Sequence, residues 1–153
     1  MAEEFESLSL DSVDVANAIR ALAKEKNIDA NMTKIHKLLY ISYGVLLARK
    51  NIRLTKEHPQ AWPFGPVFPR VHKHVSLDTP PPSVEELSLP EIAKKTICEV
   101  LDVFGKFSAG KLSAWSHKSD SPWDKTVKEN KGKWGCQMND EYISSFFKRL
   151  IKA

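Results

Sequence analysis

Apolar residues recur three and four positions apart through most of this chain. Val15, Ala16, Ile19, Leu22 and Ala23 form one helical stripe, with Ser12 as a cap, Asp14 in the first turn and an end near Asn27. From about Asn31 to Lys50, Met32, Ile35, Leu38, Leu39, Ile41, Val45 and Leu46 form a second stripe, and Tyr40 and Tyr43 widen it. That side is too broad for a surface helix, so this helix is expected at the centre of the fold.

The segment from Asn51 to Gln60 is mixed, with room for one brief extended piece. Pro69 can open a short helix through His74, since proline is tolerated in a first turn. Ser83-Val84-Glu85-Glu86 has the form of a capping box, and Ser88-Leu89-Pro90-Glu91 repeats that form. A brief turn is expected there, then a long helix carrying Ile92, Ala93, Ile97, Val100, Leu101 and Phe104 inward and ending at Gly105. Ser108 caps a short helix containing Leu112 and Trp115. Ser121 caps another, with Pro122 at its first position, and Asn139 caps the last, whose stripe is Ile143, Phe146, Phe147, Leu150 and Ile151. Five segments with helical spacing and no run of alternating strands predict a mainly α, compact single-domain fold over residues 12–153.

One stretch breaks the pattern. Residues 61–74 read A-W-P-F-G-P-V-F-P-R-V-H-K-H. Prolines exclude a helix or strand interior, and a flexible linker would not carry Trp62, Phe64 and Phe68. Pro63, Pro66 and Pro69 each fix a backbone angle, and Gly65 is free to take a positive one. The stretch is therefore expected as a rigid, irregular insertion braced by prolines and aromatics, with room for a short β-hairpin. It either packs only or also presents a pre-ordered edge to a partner.

Charge changes the picture at one end. The net charge is +4, yet Glu3, Glu4, Glu6, Asp11 and Asp14 precede any Lys or Arg. Residues 1–11 are expected as a short acidic tail on a basic body. A basic body suits solubility, an acidic partner or nucleic acid. Lys111, Lys118, Lys125, Lys128, Lys131 and Lys133 are interleaved with Trp115, Trp123 and Trp134, but no recognition-helix pattern accompanies them, so nucleic acid is not the expected partner. No apolar run approaches membrane-spanning length and no basic-then-apolar leader opens the chain. The expected location is the cytoplasm, with no membrane partner.

The chemistry is sparse. Cys98 and Cys136 have no metal spacing and read as free thiols, Cys98 in a helical stripe and Cys136 in a loop. His72 and His74 are two apart and would face different ways on a helix, and no H-E-x-x-H or C-x-x-C occurs. No metal and no cofactor is expected. His117 ends a helix, where it can bond free carbonyls and favour the dipole. An enzyme using Cys136 or His117 has no supporting signature, and Tyr40 reads as a core tyrosine rather than a reactive one.

Three motifs in order resemble the Panacea antitoxin domain, the group that includes SocA-like and GepA-like phage-associated proteins. Lys34-Ile35-His36-Lys37-Leu38-Leu39-Tyr40-Ile41 is similar to the family's K-L-x-K-L-L-Y-Y. Residues 61–69 are similar to A-W-x-x-G-P-V-x-P. Leu112-Ser113-Ala114-Trp115-Ser116-His117 followed by Ser121-Pro122-Trp123 is similar to L-S-x-x-T-H and then S-P-W. Ile41 stands where a second tyrosine is common and Ser116 where threonine is usual, and the extra DNA-binding segment of some members is missing. The resemblance spans roughly residues 15–151. It implies an antitoxin that neutralises a paired toxin by direct contact, without enzymatic turnover. Some SocA-like members instead hand a toxin to a ClpXP-type protease, and others are accessory proteins of phages and mobile elements.

On these grounds the expected partner-binding residues are Phe64, Phe68, Arg70, Lys73, His117 and Trp123. Interface energy concentrates in a few such anchors. Tyr40, Trp62, Gly65, Pro66 and Pro122 are the expected structural positions of the motifs, with Trp62 turned inward.

Overall fold

The computed structural model describes residues 5–152. Its elements run β1 (Glu6–Leu10), α1 (Ser12–Glu25), α2 (Met32–Lys50), β2 (Ile52–Thr55), β3 (Gln60–Trp62), β4 (Gly65–Val67), α3 (Pro69–His74), α4 (Val84–Leu87), α5 (Glu91–Phe104), α6 (Ala109–Ser116), α7 (Pro122–Glu129), β5 (Cys136–Gln137) and α8 (Asp140–Lys152). The fold is mainly α, with two small sheets.

Helix α2 is the axis. Asn31 caps it by accepting from the Lys34 N–H, and Asn51 ends it in a left-handed conformation. Every residue from Lys34 to Leu47 is buried. Helices α1, α5, α6 and α8 pack around it, and β2 and β4 close the remaining sides. The sharpest contact is at Gly44, where a Cβ would lie 2.2 Å from the Phe147 ring of α8. Glycine there lets the ring press against the helix backbone, and the Tyr40 ring meets Phe147 edge-on at 5.5 Å.

Most expected caps are present. Ser83, Ser108 and Ser121 each accept from the N–H three residues on, and Pro122 opens α7. Asn139 accepts from Glu141 N at 2.7 Å. The second capping box is not formed. Ser88 instead ends α4 with a left-handed φ of 51°, and Pro90 precedes α5 with no side-chain cap. A residue that must end one helix with a positive φ has no freedom to start the next.

Part of the expected acidic tail is a strand. β1 pairs in parallel with β2, Glu6 with Ile52 and Ser7 with Arg53, and an irregularity shifts the register before Leu10 meets Thr55. Leu8 and Leu10 pack against the core while Glu6, Ser7 and Ser9 stay exposed. Glu3 and Glu4 lie outside the described residues. The end of β1 is also where α1 starts. The cap expected at Ser12 falls one residue earlier: Asp11 caps α1 at Val13 N, because Ser12 gives both its backbone N–H and its hydroxyl to Glu57, at 3.0 and 2.6 Å. Among the described residues no helix is long and apolar enough to cross a membrane.

Gly44→Ala should destabilise the fold by about 1–3 kcal/mol, because the added methyl overfills a close-packed contact. Adding Phe147→Leu should recover part of that loss. Urea unfolding of the two variants and the wild type checks both the sign and the coupling.

Candidate functional site

The proline-braced insertion is a β-hairpin. β3 and β4 are antiparallel, pairing Gln60 with Val67 and Trp62 with Gly65, and Pro63-Phe64 forms the turn. Gly65 takes a φ of +111°, which only glycine adopts without strain. A third strand joins on the other edge of β3, with Cys136 of β5 opposite Ala61. Cys136 is thus half-buried in a strand rather than loop-borne, and both cysteines are free thiols.

A two-residue turn leaves backbone carbonyls without ladder partners, and here side chains from two other elements take them. Trp123 Nε1 donates to Trp62 O at 2.7 Å. His117 Nε2 lies 3.2 Å from Pro63 O, and Ser113 Oγ donates to Phe64 O at 3.1 Å. From beneath, Lys37 Nζ donates to Pro66 O at 3.3 Å. His117 does bond a free carbonyl, but that carbonyl belongs to the hairpin and not to its own helix. The three motif segments therefore meet at one place, and their polar side chains hold the hairpin turn.

Two further contacts set the height of this turn. A Cβ on Gly65 would fall 2.7 Å from Ser116 Oγ and 2.9 Å from Lys37 Cε, so the strand has no room for a side chain. Lys37 itself is 1% exposed. Burial pulls its pKa down from 10.5 to about 8. His36, on the next position of α2, accepts from Phe68 N through Nδ1 at 3.4 Å. Burial, aided by the Lys37 charge and by His72, lowers its pKa to about 4, so the ring is neutral near pH 7. Its proton then sits on Nε2, which has no hydrogen-bond partner among the described residues.

The outer side of the turn is aromatic. Phe64 is 72% exposed. The His117 ring stands edge-on to Trp123 at 4.4 Å, and Trp123 stacks on Trp134 at 6.1 Å. Trp134 is 52% exposed. Phe64, His117, Trp123 and Trp134 form one ridge, linked through the carbonyls of residues 62–64. Lys73 is exposed on neighbouring α3, where the His72 ring meets the half-buried Trp62 ring at 5.1 Å.

Two expected contact residues are placed differently. Phe68 is fully buried, edge-on to Tyr43 at 5.8 Å. It follows β4 and precedes Pro69, and its backbone N–H already reaches inward to His36, so the side chain goes with it. Arg70 is exposed in part, but its guanidinium bonds Asp11 at 2.8 Å and approaches Glu57 at 3.3 Å. Its charge is already matched within the chain. Tyr40, Gly65, Pro66 and Pro122 are buried, whereas Trp62, expected to turn inward, is only half-buried, because its indole N–H donates to Gln60 Oε1 at 3.0 Å and its ring meets His72.

A polar cluster absent from the sequence reading lies below. Tyr43 donates to Asp140 Oδ1 at 2.5 Å, Arg53 to Oδ2 at 2.6 Å, and His58 Nδ1 lies 3.5 Å from Oδ1. Burial pushes the Asp140 pKa up, but the bonds from His58, Tyr43 and Arg53 outweigh it and keep the carboxyl below its ordinary value. Burial, then the Asp140 charge, drives the Tyr43 pKa upward, so its hydroxyl stays protonated. This cluster ties α2, β2 and α8 together. Among the described residues no three His, Cys, Asp or Glu side chains gather as a metal site requires.

The family described as antitoxin SocA-like, Panacea domain, matches residues 35–124, a span holding Lys37, the hairpin and the side chains that bond its carbonyls. The chain belongs to this family. It is 30% identical over 131 residues to antitoxin SocA of Caulobacter vibrioides (strain NA1000 / CB15N), covering 76% of this chain and 70% of that relative. No solved structure matches the chain. In this Panacea domain the ridge is the exposed feature that the motif residues hold in place, and Trp134 is the one member outside the matched span.

Two outcomes test the bracing. Trp123→Phe keeps the ring but removes the donor to Trp62 O, and should cost about 1–3 kcal/mol in urea unfolding. Lys37 titrates at a lower pH when folded than its unfolded value of 10.5, so the unfolded chain binds more protons between about 8 and 10.5. Stability from this group should rise with pH across that window. Lys37→Met should remove that rise, seen as a flatter dependence of the urea midpoint on pH.

Proposed function

We propose that this chain neutralises a paired toxin by direct binding, and that the toxin docks on the ridge carried by the β3–β4 turn. Family membership supports an antitoxin role. The observation that carries the docking site is the exposure of Phe64, on a backbone already fixed by side-chain bonds to three successive carbonyls, beside the exposed Trp134, which stacks on Trp123. Large aromatics held in place before binding lose little freedom on contact. Phe64 and Trp134 are the anchors, His117 and Trp123 back them, and Lys73 adds a cation at the flank. Phe68 and Arg70 act inside the chain. Neutralisation by occupancy needs no turnover, and the buried neutral His36 and protonated Tyr43 are consistent with side chains that support structure.

Co-expression with the neighbouring gene product is the direct test. That product should be toxic alone and tolerated with this chain, and the two should co-purify. Phe64→Ala and Trp134→Ala should each weaken the complex by about 2 kcal/mol or more while leaving the melting temperature of the free chain unchanged. Phe68→Ala should instead cost about 3–5 kcal/mol of stability. Unchanged affinity in both ridge variants would remove the ridge from the interface. Protection that persists in a host lacking ATP-dependent proteases separates neutralisation by binding from delivery to a protease.

A further inference from the structure

Helix α6 has a second working side. Ser113, Ser116 and His117 turn toward the hairpin, whereas Lys111, Ala114, Trp115 and Lys118 recur at positions one, four, five and eight of the same stretch and share the opposite side. That side forms one wall of a groove of about 430 Å³. The end of α5 and the loop after it form the other wall, through Phe104 and Phe107, and Leu112 closes the floor.

The surface is apolar inside and cationic at its rim. Trp115 and Phe104 rings lie 6.1 Å apart, and Phe104 and Phe107 6.3 Å apart, each half-buried with an edge left open. The ammonium groups of Lys106 and Lys111 both stand over the Phe107 ring, at 5.5 and 5.8 Å. From residue 103 to residue 119 the chain holds these two lysines, Lys118 and His117, and no aspartate or glutamate. Of the two flanking acids, Asp102 is already bonded to Lys26 at 2.9 Å, and Asp120 forms no ion pair with Lys118 among the described residues. Among the described residues, none of the three rim cations over this aromatic groove is ion-paired with a carboxylate of its own chain.

We infer that the α5–α6 groove is a docking site for an acidic, apolar protein segment, one that lays a bulky aliphatic or aromatic side chain between Phe107 and Trp115 and sets flanking carboxylates against Lys106, Lys111 and Lys118. Charge complementarity selects this occupant. A second copy of this chain carries a net charge of +4 and so matches a cationic rim less well than an acidic segment does. Single-stranded nucleic acid would need flat exposed rings to stack on, whereas these rings are half-buried walls of a recess. The site does not depend on where, or whether, a toxin covers the ridge on the other side of α6.

The probe is a fluorescein-labelled peptide with Leu and Phe at helical spacing and Glu between them. Two controls carry Lys in place of Glu, or Ala in place of Leu and Phe. The acidic apolar peptide should bind by fluorescence anisotropy, weaken as salt is raised, and shift the indole resonance assigned to Trp115. Lys111→Glu with Lys118→Glu should weaken it at least about tenfold, the scale of 1.4 kcal/mol, with no change in melting temperature. Ala114→Arg fills the groove while adding a cation rather than removing one, and should weaken binding similarly. Equal binding of all three peptides, tighter binding to Ala114→Arg, or displacement by a poly-dT oligonucleotide but not by unlabelled peptide would overturn the inference. So would concentration-dependent dimerisation abolished by the same charge reversals.

Discussion

A helix buried on every side cannot leave its polar groups to water, and α2 carries several of them into the interior. Most are answered by a different neighbour, while His36 Nε2 has none among the described residues. Lys34 Nζ donates to Gly105 O at 2.6 Å, fixing the turn between α5 and α6. His36 takes the Phe68 N–H, Lys37 reaches Pro66 O, and Tyr43 donates to Asp140 at the start of α8. Ser42 folds back on Leu38 O within the helix. A buried polar atom without a partner costs far more than the bond returns when made, so these links specify where each neighbour must stand. The apolar contacts supply most of the stabilisation, and the polar ones supply the register.

The same logic explains the loops. Pro63, Phe64 and Gly65 make a turn too short to satisfy itself, and α6 and α7 arrive at it with a hydroxyl, an imidazole and an indole. Helix placement and turn geometry are therefore one problem in this protein. α6 is only Ala109–Ser116, too short to hold itself in water, and it is kept by Leu112 on the core and by Ser113 and His117 on the hairpin.

Much of this order was legible in the chain. Caps at Ser83, Ser108, Ser121 and Asn139 are local chemistry, decided within three residues, and sequence reads them directly. The all-round apolar side of residues 32–46 placed α2 at the centre before any contact was known. β1 was hidden because Ser7-Leu8-Ser9-Leu10 alternates too briefly to outweigh the acids around it, and its partner lies at residues 52–55. Phe68 looked like Phe64 in sequence, since both are aromatics beside a proline. Only the hairpin register shows that one leaves the turn and the other enters the core. The carbonyl bonds of Ser113, His117 and Trp123 join residues 49 to 61 positions apart, and Asp140 joins Tyr43 across 97, distances at which residue type alone gives no pairing.

The exposed Phe64 occupies one of the three unspecified positions in the A-W-x-x-G-P-V-x-P pattern. Its side chain supports nothing: the turn is held by the carbonyls on either side of it and on Phe64 itself, through backbone atoms that every residue type possesses. The frame and the message are thereby written in different letters. A change at position 64 alters what a partner meets without asking any buried atom to move. With the docking proposed above, such a domain is a socket with an interchangeable face, and new pairings would come through single exposed substitutions rather than through a repacked core.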